Sequence, residues 1–412
     1  MRTSVVALLL VACGRASSPS AEVDRDDADR EDFAPPVELG RHAVEIGEPR
    51  KVIPGTGLPA EARAQTSNNN LDVVRHEGRV FLAFRTAPNH FASKETALYV
   101  ISSDDERTWR FETEVRAEVD LREPRLFSFG GSLFLYVARL GTDPVRFQPQ
   151  GMSYVERGAD GRWGSLVDFG EPTFIPWRAK VERGTPFLVA YDRGEQIYAP
   201  SGIPLSVHLF TTDDGRTFRP FDPARSAVLV GGASETDFVI GDDGTLFAVA
   251  RNEAGDETGF GSKVCRAAAG SMTTWSCKSD PRKYDSPRMF WFDGEAYLVG
   301  RRNLSPTGDY DLEEIRDRPL GERWFKNQID YKNWPKRCAL WRYVQSEDRI
   351  AFVADLPSRG DTCFPAVLEG NAPGEFVIYD YSSPIDGPDL PWNEGQVGPT
   401  SIYRHVVRFT RR

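Results

Sequence analysis

The chain has 412 residues and a formal net charge of -10, which is long enough for two or three average domains or for one closed all-β unit. The acidic balance excludes a basic face able to displace counterions from phosphates, so no nucleic-acid partner is expected. With 36 Gly, 29 Pro and an aromatic share of 11%, and with runs rich in Val, Phe, Leu and Tyr, the composition argues for strands rather than long helices.

MRTSVVALLLVACG opens the chain with one Arg, a short apolar run and Cys13. The run is too short to cross a bilayer as a stable helix. Its end, Leu10-Val11-Ala12-Cys13, resembles the bacterial lipoprotein signal, in which cleavage precedes the cysteine and the thiol is lipidated; an ordinary secretion signal is the alternative. EVDRDDADRED at 22–32 alternates charge without an apolar stripe and reads as solvated tether. The expected division is a signal over 1–12, a lipidated acidic tether over 13–45 and a folded domain over 46–412. The protein is then exported to the bacterial cell envelope, at the outer membrane or cell surface, and meets the membrane only through its anchor.

Export favours disulfides over free thiols. Cys265 and Cys277 flank the turn GSMTTW and suit neighbouring strands, which leaves Cys338 and Cys363 to pair. No Cys/His spacing resembles a zinc site and the five histidines stand singly, so no metal and no other cofactor is expected. The Asp-rich turns lack the spacing of a calcium loop.

A repeat organises the rest. A polar or charged pair, a few apolar residues, a Gly-containing turn and an apolar strand recur from Asn70, Arg122, Arg178, Glu235, Asp285 and Asp361. Successive starts lie about 50 to 75 residues apart, room for two further strands in each unit. Four-stranded units of that length match propeller blades. The expected fold is all-β, a six-bladed β-propeller, with five blades as the alternative.

Two octets, SSDDERTW at 102–109 and TTDDGRTF at 211–218, each follow an apolar strand and precede another. Their Asp side chains can accept backbone N–H groups and their Gly can take positive φ, so both read as hairpin turns repeated for structure. The pattern S/T-x-D-x-G-x-T-W/F resembles the Asp box of the sialidase superfamily, whose members are six-bladed propellers; the first octet has Glu106 where Gly is usual. GDTCFPAV at the last repeat resembles the divergent members of that superfamily.

The resemblance implies three arginines that hold a substrate carboxylate, a Tyr nucleophile assisted by a Glu, and an Asp acid. Glu235 and Arg251 match the spacing of the assisting Glu and second Arg, and Arg301 or Arg302 another arginine. Asn69 or Asn70 stands where the first arginine belongs, Phe364 near the Tyr, and His90, Lys94 and Glu95 near the acid.

In a propeller the first strand of each blade lines the channel, so the repeat openings converge at one mouth. They are Asn70 and Asp72; Arg122, Glu123 and Arg125; Arg178 and Lys180; Glu235 and Asp237; Asp285 and Arg288; and Asp361. A mixed ring of this kind can push carboxylate pKa values apart. The candidate catalytic carboxylates are Asp361 and Glu235, with Glu123, Asp72 and Glu95 behind them and His90 as a further proton donor. Asn70, Arg125, Arg178, Arg251, Asp285 and Arg301 are the candidate substrate-binding residues.

Trp177 and Trp291 are expected to stack on sugars, and Trp163, Trp275 and Trp341 to fill gaps between blades. The resulting expectation is a monomeric glycoside hydrolase of sialidase-like fold acting on a glycan, whose substrate need not be sialic acid. The alternative is a surface lipoprotein that binds a glycan or a protein without chemistry.

Overall fold

The computed structural model describes residues 35–144, 146–192 and 204–412. The expected signal over 1–12 and the expected lipidation residue Cys13 lie outside these residues. Among the described residues no helix is long and apolar enough to cross a membrane.

The strands form six antiparallel sheets. Their innermost strands are Ser67–His76, Asp120–Phe129, Ile175–Glu182, Thr236–Ile240, Arg288–Phe292 and Ala366–Glu369, in blades I to VI. Each packs beside the next, and Ala366–Glu369 returns to Ser67–His76, so the ring closes as a six-bladed propeller. The six repeat starts are therefore six blade starts. These strands are largely buried on both faces because each is wedged between neighbouring blades, and aromatic rings fill the outer wedges while charged side chains such as Asp72, Arg125, Arg178 and Asp237 are buried nearer the axis. Between blades II and III the filler is Phe127, Phe134 and Tyr136 against Phe210 and Phe218.

Blade VI is closed from the front of the chain. Its strands Glu375–Ser382 and Ser401–Arg411 are followed in the sheet by His42–Ile46, paired from His42 opposite Arg411 to Ile46 opposite Val407. Residues 42–45 were expected in the tether, since a short strand with exposed alternate residues lacks a repeat signature. They belong to the propeller. His42 is 1% exposed and bonds Glu295 Oε2 at 3.0 Å and Tyr297 Oη at 2.9 Å in blade V.

Both octets form the same turn between the third and fourth strands of blades I and III. Asp105 Oδ1 accepts the amides of Arg107 and Thr108 at 2.8 Å, and Asp214 Oδ1 those of Arg216 and Thr217 at 2.7 Å. Because inner strands start at the mouth, third strands end on the opposite face. The octets lie there, away from the candidate site.

Gly215 has φ +72°, and a Cβ would stand 2.5 Å from Phe134 Cε2. Gly215→Ala is expected to destabilise the fold by about 1–3 kcal/mol. A lower urea midpoint at constant m-value would show it; an unchanged midpoint would mean that the turn relaxes. In the first octet Glu106 takes φ 58° and sends its carboxylate to Tyr379 Oη at 2.6 Å and Arg404 Nε at 2.7 Å, locking blade I to blade VI.

The cysteines pair as expected. Cys265–Cys277 joins the third and fourth strands of blade IV, and Cys338–Cys363 joins the third strand of blade V to the start of blade VI.

Candidate functional site

The mouth is built by the inner-strand starts and by the connections between second and third strands, which emerge on the same side. Two of these connections hold helices: α1, Leu320–Asn333, in blade V, and α2, Trp392–Val397, in blade VI. They are tied to each other, with Trp392 N donating to Trp334 O at 3.2 Å and Pro335 bridging Pro391. His90 N in turn donates to Gln396 O at 3.3 Å, which links α2 to the blade I connection.

Asp361 is the centre of one cluster and is fully buried. Its Oδ1 accepts Tyr381 Oη–H at 3.0 Å and Trp392 Nε1–H at 2.9 Å, and its Oδ2 meets His90 Nδ1 at 2.7 Å. Burial opposes its ionisation, but His90, Arg301 and the Trp392 N–H outweigh that and hold its pKa below the usual range. The loop carrying His90 is fixed from below: Arg85 Nη2 donates to Phe91 O at 3.0 Å and Arg122 Nη2 to His90 O at 2.5 Å, while both arginines grip Asp120.

Asp285 is the centre of a second cluster and is 1% exposed. Its Oδ2 accepts Arg301 Nη1–H and Tyr331 Oη–H, each at 2.8 Å. Lys283 Nζ stands 3.4 Å from the same oxygen and 4.0 Å from the centre of the Tyr331 ring. Arg301 also donates through Nε to Thr362 O at 2.7 Å and lies 4.8 Å from the Trp392 ring. One arginine thus spans two carboxylate–phenol couples, Asp285–Tyr331 and Asp361–Tyr381.

Glu235 completes the set. Its Oε1 is 2.8 Å from Arg251 Nη1, which also meets Glu253 at 3.0 Å, and its Oε2 accepts the Ser286 amide at 2.7 Å. Burial pushes its pKa up to about 7; Arg251 opposes this, and Asp285 and Glu123 add to it. Asp285 and Glu253 go the other way, held low by Lys283 and Arg251 against their burial, with Arg301 also acting on Asp285. One mouth therefore carries a carboxyl that protonates near neutrality beside carboxylates that stay ionised.

No protein-family model matches the chain, and no curated protein matches it. Among solved structures, Trypanosoma rangeli sialidase matches with a TM-score of 0.53 at 14% identity, over 84% of this chain and 55% of that one. This is a sialidase-like propeller. Phage phi92 endosialidase matches with a TM-score of 0.53 at 11% identity, over 84% of this chain and 67% of that one. A Dyadobacter fermentans DSM 18053 protein of unknown function matches with a TM-score of 0.59 at 14% identity, over 89% and 99%. The sialidase-like propeller thus spans about half the length of the trypanosomal enzyme, which is 55% covered. Identities this low carry the fold alone.

Glu235, Arg251, Asp285, Arg301 and Asp361 are brought together at the mouth of the sialidase-like propeller. Asn70 and Glu123 join at its edge, both with positive φ, and Asn70 Nδ2 donates to Glu123 Oε2 at 3.1 Å. Asp72 lies deeper and accepts the Leu126 amide at 3.0 Å, pinning blade I to blade II as Asp237 pins blade IV to blade V through Met289 N at 2.8 Å. Arg125 and Arg178 also lie below the floor. Glu95 is exposed on the rim, and its backbone carbonyl accepts Gln65 Nε2 at 3.0 Å. Arg302 turns to Asp355 instead of the mouth.

Trp177 is buried, not offered to a sugar, because its ring covers Arg125. Trp291 sits at the far end of its strand, where Nε1 meets Asp242. Tyr331, Tyr381, Trp392 and Glu253 also belong to these clusters and lie outside the repeat openings. The available signal was the long stretch between Asn303 and Lys336, an insertion at a position facing the mouth.

Proposed function

We propose that the mouth is the active site of a glycoside hydrolase acting on a glycan, in a protein exported to the bacterial envelope and anchored through Cys13. The observation that supports this best is the pair of phenol–carboxylate couples on either side of Arg301. The resemblance to sialidases calls for a Tyr beside a carboxylate, and Phe364 cannot supply a phenol. Tyr381 can. In this reading its oxygen bonds the anomeric carbon while its proton passes to Asp361, and neutral Glu235 protonates the departing oxygen. Water then attacks the anomeric carbon and gives its proton to Glu235, while the Tyr381 oxygen departs and takes its proton back from Asp361, which restores all three groups. Arg251 and Arg301 orient the substrate, and His90 positions Asp361.

A second reading, a glycan- or protein-binding module, is favoured by one observation: Asp361 and Tyr381 are covered by α2 and are at most 2% exposed. The two are separated by sugar release from a panel of sialylated, uronic-acid and neutral glycans. The hydrolase reading expects release from at least one, reduced at least about 100-fold in both Tyr381→Phe and Asp361→Asn. Binding without release in the unaltered protein would sink it and leave the binding module.

A further inference from the structure

Beneath the mouth lies a group of cations that the proposed chemistry does not use. Arg125 is fully buried, and its guanidinium is stacked between the Trp177 ring at 4.5 Å and the Phe364 ring at 4.3 Å. The rings cover its faces, so its N–H bonds leave in the guanidinium plane. Nε, Nη1 and Nη2 all lack an acceptor. Arg178, 1% exposed, has none for Nε and Nη1, and Arg288 none for Nε.

The carboxylates nearby do not fill this need. Glu123 Oε2 is 3.8 Å from Arg125 Nη2 and already accepts the Asn70 amide. Asp72 Oδ1 is 3.8 Å from Arg178 Nη1, and both its oxygens accept backbone amides. Asp237 stands 3.4 Å from Arg178 Nε and 3.7 Å from Arg288 Nη1, but is held by Lys180 Nζ at 2.9 Å and by two amides. Buried guanidinium groups left without acceptors are costly, and native proteins resolve such cases with an ordered water or an ion.

We propose that Arg125 and Arg178 bind a monovalent inorganic anion of chloride size on the channel axis. A water would bring two donors of its own among carboxylate oxygens already engaged, whereas a halide only accepts. The guanidinium nitrogens are closed to solvent, which restricts the occupant to a small ion. The site is independent of the hydrolase reading and gives Arg125 and Arg178 a ligand other than the sugar.

Crystals of the protein transferred into sodium bromide test this directly. An anomalous peak within about 3.5 Å of the Arg125 and Arg178 nitrogens is expected; a density with no anomalous signal, hence water, overturns the proposal. In solution, replacing gluconate by chloride at constant ionic strength should raise the folded-to-unfolded ratio, about tenfold at roughly ten times the dissociation constant. Arg125→Met keeps a side chain between the two rings and should abolish this dependence; an undiminished chloride effect in that variant would also overturn the site. Should the variant not fold, the bromide map decides alone.

Discussion

Removal of residues 35–46 is expected to lower the unfolding free energy by on the order of 5 kcal/mol, a large share of the total for an ordinary domain. The deletion takes away a whole strand ladder, from His42 opposite Arg411 to Ile46 opposite Val407. It also removes Glu38, whose carboxylate holds Arg349 at 2.7 and 2.8 Å. Glu295, Tyr297 and Asp293 would lose His42, their shared partner. The Val407–Arg411 part of that strand's edge would then be open to pairing with another chain, while Arg50–Ile53 still covers Ile402–Arg404. Urea unfolding of chains 35–412 and 47–412, followed by tryptophan fluorescence, measures the loss. Equal midpoints would show that the ring holds without this strand, whereas loss of the cooperative transition would exceed the expectation in the same direction.

The second large effect concerns pH. Glu235 has a folded pKa of about 7 against an ordinary 4.5, so its carboxyl group favours folding in the protonated form. The stability it permits is fully present below about 4.5 and is lost as pH rises through about 7. Gln mimics the protonated state. Glu235→Gln is therefore expected to match the parent near pH 4 and to exceed it by about 3 kcal/mol at pH 8, from 1.36 kcal/mol per pKa unit. Activity, on the reading proposed above, should fall in the same variant because the proton is gone.

Asp380, also raised to about 7 by burial, keeps part of the slope in that variant. Asp237 acts at the acid end: burial opposes its ionisation, yet Lys180, Arg178 and Arg288 hold its pKa at about 2, and stability falls as pH drops from 3.8 toward that value. Thermal melts of the parent and of Glu235→Gln from pH 4 to pH 9, above the window of Asp237, test the Glu235 effect; a parallel shift of the two curves would sink the assignment to Glu235.

The blades were legible because each begins with the same chemical sentence, a charged pair followed by an apolar strand and a Gly turn. That is why Asn70, Glu235, Asp285 and Asp361 could be placed at one mouth. Side-chain direction was less legible. Trp177 and Arg178 are neighbours in sequence, and a register shift between Pro176 and Arg178 leaves both buried. Tyr331 lies on a helix inserted 46 residues beyond Asp285, and no periodicity within a blade points from one to the other. Tyr381 was hidden differently: it ends a second strand, while the repeat openings mark first strands. The closing strand carries too few residues to show a repeat, although its edge pairing decides where the domain begins.

The two disulfides sit in unequal places. Cys265–Cys277 staples outer strands of blade IV, whereas Cys363 follows Asp361 by two residues and its carbonyl, with that of Thr362, faces Arg301. Reducing agents therefore act on two different properties of one molecule. Opening the first bond is expected to loosen a rim, and opening the second to free the segment that holds Asp361 and the carbonyls facing Arg301.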